Sequence, residues 1–376
     1  MSHQNPCASH CRHQQLEAGQ QPSQDTDMTD QQNSTFQASE VYELPLRPVK
    51  FPFILPAHAP HLSDQGWSTL TFSPTDPIYI SSQKLLQASR SFFDLPPEYK
   101  TQFLTGKGTE EGWNRVEGEK EFITLREISS TPPELLDAVK EFWEITGDIL
   151  NRILGEISSS LGLRKELLTK YSEPCSKLHE ERTATMVRLF RYEGDGAKGK
   201  VVSEPHRDLG LLSLSISDVP GLEVLDKYSR ISFPIERSYG GKAAGTLLVG
   251  RELEFLSNGR YHAGGHSVRM YPAAETITRN EPEETENGNE QQMLEEKHYR
   301  YSIVFVLRGH EELAIDTDEL RTAITGRWKK PMRGLKMENL YRRFMSKHVN
   351  INVEVNERQE QRKRLHEKTV KRSTGD

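Results

Sequence analysis

The spacing of hydrophobic positions changes near residue 186, from a helical period to a strand period. Before that point, Leu85, Leu86, Ala88, Phe92 and Phe93 recur at helical spacing within 81–95, and Pro96–Pro97 sets the stop. A longer helix is predicted over 132–161, with Thr131 as N-cap, Pro132 in the first turn and Glu134 completing a capping box. Leu135, Val139, Phe142, Ile149, Ile153 and Ile157 form one face of it, with Leu136, Trp143, Leu150 and Leu154 alongside. A stripe that wide predicts burial in a core, and Gly162 stands where such a helix terminates. From 186 on, the runs MVRLFRY, LLSLSI, LEVL, ISFPI, TLLVG, LEFL, HSVRM and YRYSIVFVL are short, β-rich and separated by Gly, Asn, Asp and Pro. That pattern predicts a sandwich or barrel rather than alternating strands and helices. A last helix is expected near 336–347, so the chain reads as α+β with a jelly-roll strand half.

Composition narrows the partners. The net charge of -6 disfavours a nucleic-acid or anionic-membrane binder, and no apolar run is long enough to span a bilayer. The first residues lack the apolar stretch of a secretory signal. Cys7, Cys11 and Cys175 are too few for a disulfide scaffold, which points to a reducing compartment, the cytoplasm; the chain is expected to be a monomer. The mean hydropathy of -0.70 is low because polarity is concentrated in residues 1–40, in the acidic stretch 276–297 and in the charges from about Glu357 on. These segments are expected to be solvated or disordered. Cys7 and Cys11 lie near His3, His10 and His13, but no strand or helix pattern would hold them as a zinc site. The chain therefore divides into a polar tail (1–40), a helical part (41–180), a strand domain (181–310, with the acidic insertion 276–297), a helical closure (311–355) and a charged tail (356–376).

Candidate chemistry sits in Glu204-Pro205-His206-Arg207-Asp208-Leu209-Gly210. Side chains two apart on an extended chain point the same way, so His206 and Asp208 can reach one ion. A second histidine from a distant strand would complete a two-histidine, one-carboxylate set, which leaves adjacent positions open on iron(II). The same triplet spells the His-Arg-Asp of a kinase loop, but Ser213 stands where that loop needs Asn, and no glycine-rich phosphate loop is present. Downstream lie Ser257-Asn258-Gly259-Arg260-Tyr261-His262-Ala263-Gly264-Gly265-His266-Ser267-Val268 and then Arg300-Tyr301-Ser302-Ile303-Val304-Phe305.

In that order, His-x-Asp, Asn-Gly-Arg before a second His, and Arg-x-Ser in a strand, the chain resembles the isopenicillin N synthase-like family of 2-oxoglutarate/iron(II) dioxygenases over most of residues 60–355. The resemblance implies a double-stranded β-helix, or jelly roll, with N-terminal helices and a C-terminal helix. It implies iron(II) on His206, Asp208 and His266, with 2-oxoglutarate and dioxygen as co-substrates and ascorbate as a stimulant. His262 competes with His266 for the third ligand position, and alignment on Asn258-Gly259-Arg260 and Val268 favours His266. Arg300 and Ser302 alternate onto one strand face, where a guanidinium fork and a hydroxyl suit the distal carboxylate of 2-oxoglutarate. Arg188 and Tyr192 match the family strand before His-x-Asp, and Tyr192 is a third expected contact to 2-oxoglutarate. His262, Phe190, Phe305 and Tyr341 are the expected substrate contacts, joined by Phe344 on the terminal helix. Ser267, Gly250-Arg251 and Phe190 depart from the family pattern and bear on pocket shape. The implied activity is hydroxylation, desaturation or ring closure of a small organic molecule in specialised-metabolite biosynthesis. The rivals are an iron oxidase that needs no 2-oxoglutarate, another metal enzyme on a jelly roll, and a non-catalytic binding protein.

Overall fold

The amphipathic stripes of the first half pack on each other and on one face of a sheet. The structure is a computed structural model that describes residues 44–49, 54–106, 109–194, 199–272 and 299–374, all within one unit. In chain order the elements are α1 (His61–Asp64), β1 (Trp67–Thr71), α2 (Pro77–Phe93), α3 (Pro97–Lys100), β2 (Gly112–Val116), β3 (Lys120–Leu125), α4 (Pro133–Ser160) and α5 (Glu166–Ser172). The strand half follows with β4 (Met186–Glu193), β5 (Lys200–His206), β6 (Leu212–Ser217), β7 (Leu222–Leu225), β8 (Ser232–Phe233) and β9 (Ala244–Val249). Then come α6 (Arg251–Leu256), β10 (His266–Met270), β11 (Tyr299–Leu307), β12 (Ala314–Asp316), β13 (Arg333–Lys336), α7 (Met337–Met345) and α8 (Val355–Thr374). Among the described residues no helix is long and apolar enough to cross a membrane.

A seven-stranded sheet runs in the order β1-β9-β6-β11-β4-β3-β2, and a four-stranded sheet in the order β5-β10-β7-β8. Neighbouring strands pair antiparallel throughout both sheets. One core lies between α2, α4 and the seven-stranded sheet, where Phe142 and Trp143 meet Phe305 at ring centroids 6.4 and 5.2 Å apart. A second core lies between the two sheets and takes Phe122, Phe190 and Leu248 from one and Val202, Val224 and Val268 from the other. The cavity of the candidate site opens out of this second core.

LEFL, read as one of the short β-rich runs, is helical and forms the end of α6, and two further local expectations are corrected. The capping box at the start of α4 is not made: the helix begins at Pro133, whose missing N–H leaves one donor fewer to cap. Thr131 instead turns its hydroxyl back to the Glu127 carbonyl (2.7 Å), and Glu134 accepts from the Tyr99 hydroxyl. The far end behaves as read, with Gly162 at φ +77° and the Leu163 amide donating to the Ser158 carbonyl (3.1 Å). The second correction is α8, because the charged run expected as a solvated tail from Glu357 is helical and carries the fully buried Arg358. Arg358 donates to Glu204 (2.9 Å) and to Glu119 (2.7 Å), and Arg362 also meets Glu204. Partners about 150 and 240 positions earlier offset the desolvation of that charge, which composition alone cannot reveal. The N-terminal tail and the acidic insertion 276–297 lie outside the described residues.

Candidate active site

β5 ends at His206 and β10 begins at His266, and the two residues are register partners across the four-stranded sheet. Their imidazole centroids stand 4.2 Å apart. Asp208 follows two residues after His206, with its Oδ1 at 3.8 Å from His206 Nε2 and 3.9 Å from His266 Nε2. One ligand atom from each of the three lies within 4.8 Å of the others, the only such His/Cys/Asp/Glu group among the described residues.

Each imidazole is oriented by its own backbone. His206 Nδ1 donates to the Glu204 carbonyl (2.8 Å) and His266 Nδ1 to the Gly264 carbonyl (3.2 Å). A carbonyl can only accept, so the proton sits on Nδ1 and the Nε2 lone pair faces the common point. The Asp208 backbone is held from the other side: Arg251 at the start of α6 donates its amide to the Asp208 carbonyl (2.9 Å), and Glu252 donates to the carbonyls of Leu209 and Gly210. This needs two bare backbones in contact, since a Cβ on Gly250 would stand 2.0 Å from the Gly210 oxygen.

Burial and the facing His266 hold His206 well below its ordinary pKa. Burial would raise Asp208, but the fields of His266 and His206 outweigh it and leave the carboxyl below its usual range. His206 is thus held neutral and Asp208 ionised, as binding a cation requires of an imidazole and a carboxyl. The nearby Ser213 hydroxyl favours the Asp208 charge but makes no well-formed hydrogen bond to it, so Asp208 Oδ2 is buried without a partner. Three converging donors with an unsatisfied oxygen fit a divalent ion, and the nitrogen-rich set with open positions suits iron(II) over magnesium or structural zinc.

β4 and β11 form the floor of the cavity above this group. Side chains alternate, so Met186, Arg188, Phe190 and Tyr192 of β4 and Arg300, Ser302, Val304 and Val306 of β11 line it, with Arg308 just past the strand. Arg300 pairs with Tyr192 in register, and Ser302 with Phe190. Arg300 is fully buried; its Nη2 donates to both Glu236 oxygens (3.0 and 3.1 Å) and its Nε to the Val219 carbonyl (3.0 Å). Glu236 also accepts from the Ser217 hydroxyl and the amides of Gly221 and Leu222, so this anchor is saturated. Among the described residues Arg300 Nη1 has no hydrogen-bond partner. Tyr192 lies under the guanidinium, 5.4 Å from its centre, and burial pushes its phenol up to about 12, so it stays a neutral donor. An unpartnered guanidinium nitrogen that shares the cavity with Ser302 and Tyr192 has the chemistry that suits a carboxylate.

Toward the other end the lining becomes a charged network. Arg308 grips Glu110 with both terminal nitrogens (2.7 and 3.4 Å), and the Tyr341 hydroxyl donates to the same carboxylate (3.1 Å). The chain after α7 supplies His348, Asn350, Ile351 and Asn352 to the wall. Lys120, buried and depressed to about 7 chiefly by that burial, ties this segment down through the Ile351 carbonyl (2.9 Å).

The structure thus gathers His206, Asp208, His266, Arg300, Ser302, Tyr192 and Phe190 around one cavity. Four expected substrate residues are not there. The His262 side chain is 45% exposed and faces Glu254, four residues short of the strand that carries His266. Phe305 faces α4, because its odd position on β11 is opposite in sense to Arg300 and Ser302. Tyr341 is spent on Glu110, and Phe344 is buried in the helical core. The motifs gave no hint of Arg308, Glu110 or the 348–352 segment. Strand parity from Arg300 would have found Val304, Val306 and Arg308, whereas Glu110 and 348–352 leave no local signal.

No protein-family model and no curated protein sequence matches the chain. Solved structures do. A full-length Neurospora crassa protein in complex with alpha-KG superposes at TM-score 0.54 and 18% identity, over 75% of this chain and 86% of that one. AtDAO1, the dioxygenase for auxin oxidation 1 of Arabidopsis thaliana, as its 2-oxoglutarate complex, gives 0.52 and 17% over 70% and 92%. JOX2 in complex with 2OG, Fe and JA gives 0.53 and 18% over 81% and 90%. At this identity the likeness is one of fold: this chain is built like those three proteins.

Proposed function

We propose that the protein is an iron(II)- and 2-oxoglutarate-dependent dioxygenase with a jelly-roll core, oxidising a small organic molecule. One observation carries the reading: a two-histidine, one-aspartate group and an arginine with an unpartnered Nη1 line the same buried cavity. His206, Asp208 and His266 would hold the metal, and Arg300, Ser302 and Tyr192 would hold the distal carboxylate of 2-oxoglutarate. When bound, the iron and co-substrate supply the oxidising power, with dioxygen reduced as 2-oxoglutarate loses carbon dioxide to become succinate. The chain's own part is placement. The Glu204 and Gly264 carbonyls fix both imidazole tautomers, and the Glu236 clamp holds Arg300 in one orientation. Ile351 and its neighbours add to the cavity wall.

The arginine, serine and tyrosine favour this reading over an oxidase that takes no 2-oxoglutarate. The Neurospora protein, AtDAO1 and JOX2 are described with small molecules or 2-oxoglutarate, which supports a small-molecule substrate. Within that class we place the reaction in specialised metabolism, as the sequence resemblance implies. Carbon dioxide release from 1-labelled 2-oxoglutarate, with iron(II) and ascorbate, tests the proposal. Turnover should fall at least about a hundredfold in His206→Ala and Asp208→Ala, with loss of bound metal. Full turnover in either variant, or wild type that takes up no iron, overturns it.

A further inference from the structure

We propose that Arg188 is the receptor for a carboxylate on the substrate, in the part of the cavity away from Arg300. This names a substrate class for the activity proposed above and rests on that reading. Five arginines are buried among the described residues: Arg126, Arg188, Arg300, Arg308 and Arg358. Four of them sit within ion-pair distance of a carboxylate, on Glu311, Glu236, Glu110 and Glu204 with Glu119 respectively. Arg188, 9% exposed, is the exception. A buried, unpaired guanidinium is costly unless something neutralises it.

Its surroundings hold the side chain still without answering its charge. Arg188 Nε donates to the Thr124 hydroxyl (2.7 Å), Nη2 reaches only the Met186 sulfur (3.6 Å), and the guanidinium lies 5.6 Å from the Phe122 ring centre. The acids nearest to it in electrostatic terms are Glu110 and Asp208. Glu110 is occupied by Arg308 and Tyr341, and Asp208 belongs to the metal group. Among the described residues no hydrogen bond is made by Nη1, and the side chain lines the cavity.

Register separates this position from the 2-oxoglutarate end. Arg188 is opposite Val304, whereas Tyr192 is opposite Arg300. Four residues of strand put the two levels about 13 Å apart, so the two arginines can serve two different anions. Met186 and its register partner Val306 line the cavity beyond Arg188 on the same two strands and suit an apolar body behind the carboxylate.

The test is calorimetric titration of full-length protein loaded with manganese(II) and 2-oxoglutarate. The probes are benzoate, phenylacetate and octanoate, each compared with its primary amide. At least one acid should bind about tenfold or more tightly than its amide. Arg188→Met should remove that preference and leave 2-oxoglutarate affinity unchanged, while Arg300→Met should abolish 2-oxoglutarate binding. Arg188→Lys keeps charge but loses the fork, so it should weaken the acid several-fold without touching the amide, and it serves if Arg188→Met does not fold. Binding of no acid, equal binding of acid and amide, or an unchanged preference in the Arg188 variants overturns the proposal. Wild type that binds neither manganese(II) nor 2-oxoglutarate would instead overturn the underlying reading, and this one with it.

Discussion

On β11, Arg300, Ser302, Val304 and Val306 face the cavity, whereas Tyr301, Ile303, Phe305 and Leu307 face α2 and α4. The same strand therefore lines the cavity on one side and packs the core on the other, and a shift of one residue decides which. The cavity face has a second contrast built into it. Arg300 and Arg308 each hold a glutamate, but Glu236 is 3% exposed and saturated with donors, whereas Glu110 is 29% exposed. One clamp is part of the fold; the other stands at the border of the cavity.

These contrasts can be broken one at a time. Phe305→Ala should cost about 3–5 kcal/mol in chemical denaturation. It should leave 2-oxoglutarate affinity of the folded protein within about twofold, and a large affinity loss would mean the two faces are not separate. Glu236→Ala should cost a similar 3–5 kcal/mol, because it strands Arg300 and two buried amides, and it should also weaken 2-oxoglutarate. Glu110→Ala should cost less, about 1–3 kcal/mol, with metal binding retained.

The pH dependence of the Arg308 neighbourhood sharpens the second contrast. Although burial opposes it, the charge of Arg308 holds Glu110 well below the usual carboxylate range. Its contribution is therefore present above about pH 4.5 and lost as the pH falls, and Glu110→Gln should flatten that acid limb. Glu252 behaves oppositely: burial raises it to about 8, and it accepts only the Gly309 amide (2.9 Å). The folded state then binds a proton that the unfolded state releases, so wild-type stability falls as pH rises from about 4.5 to 8. Relative to wild type, Glu252→Gln should gain on the order of 1–3 kcal/mol across that window, read from denaturation midpoints. The smallest effect is expected on the cavity face, where Val304→Ala should cost about 1 kcal/mol and change ligand affinity rather than folding.

Periodicity by itself determined the long helix α4, the helix α2, the change to strands near 186 and the terminal helix α7, because each writes its pattern within a few turns of chain. The His206, Asp208 and Arg300 candidates were legible for the same reason, being carried by short motifs on strands with strict alternation. Phe305 was misplaced although that alternation already assigned it to the opposite face from Ser302. Only the tertiary structure decided the rest. It brought His266 rather than His262 to His206 by pairing β10 with β5, set Glu236 against Arg300, and buried Arg358 against Glu119 and Glu204. Among the described residues it also left Arg188 outside any ion pair. Such outcomes depend on partners far away along the chain, and the energy of a buried charge is set by what surrounds it in space rather than by its neighbours in sequence.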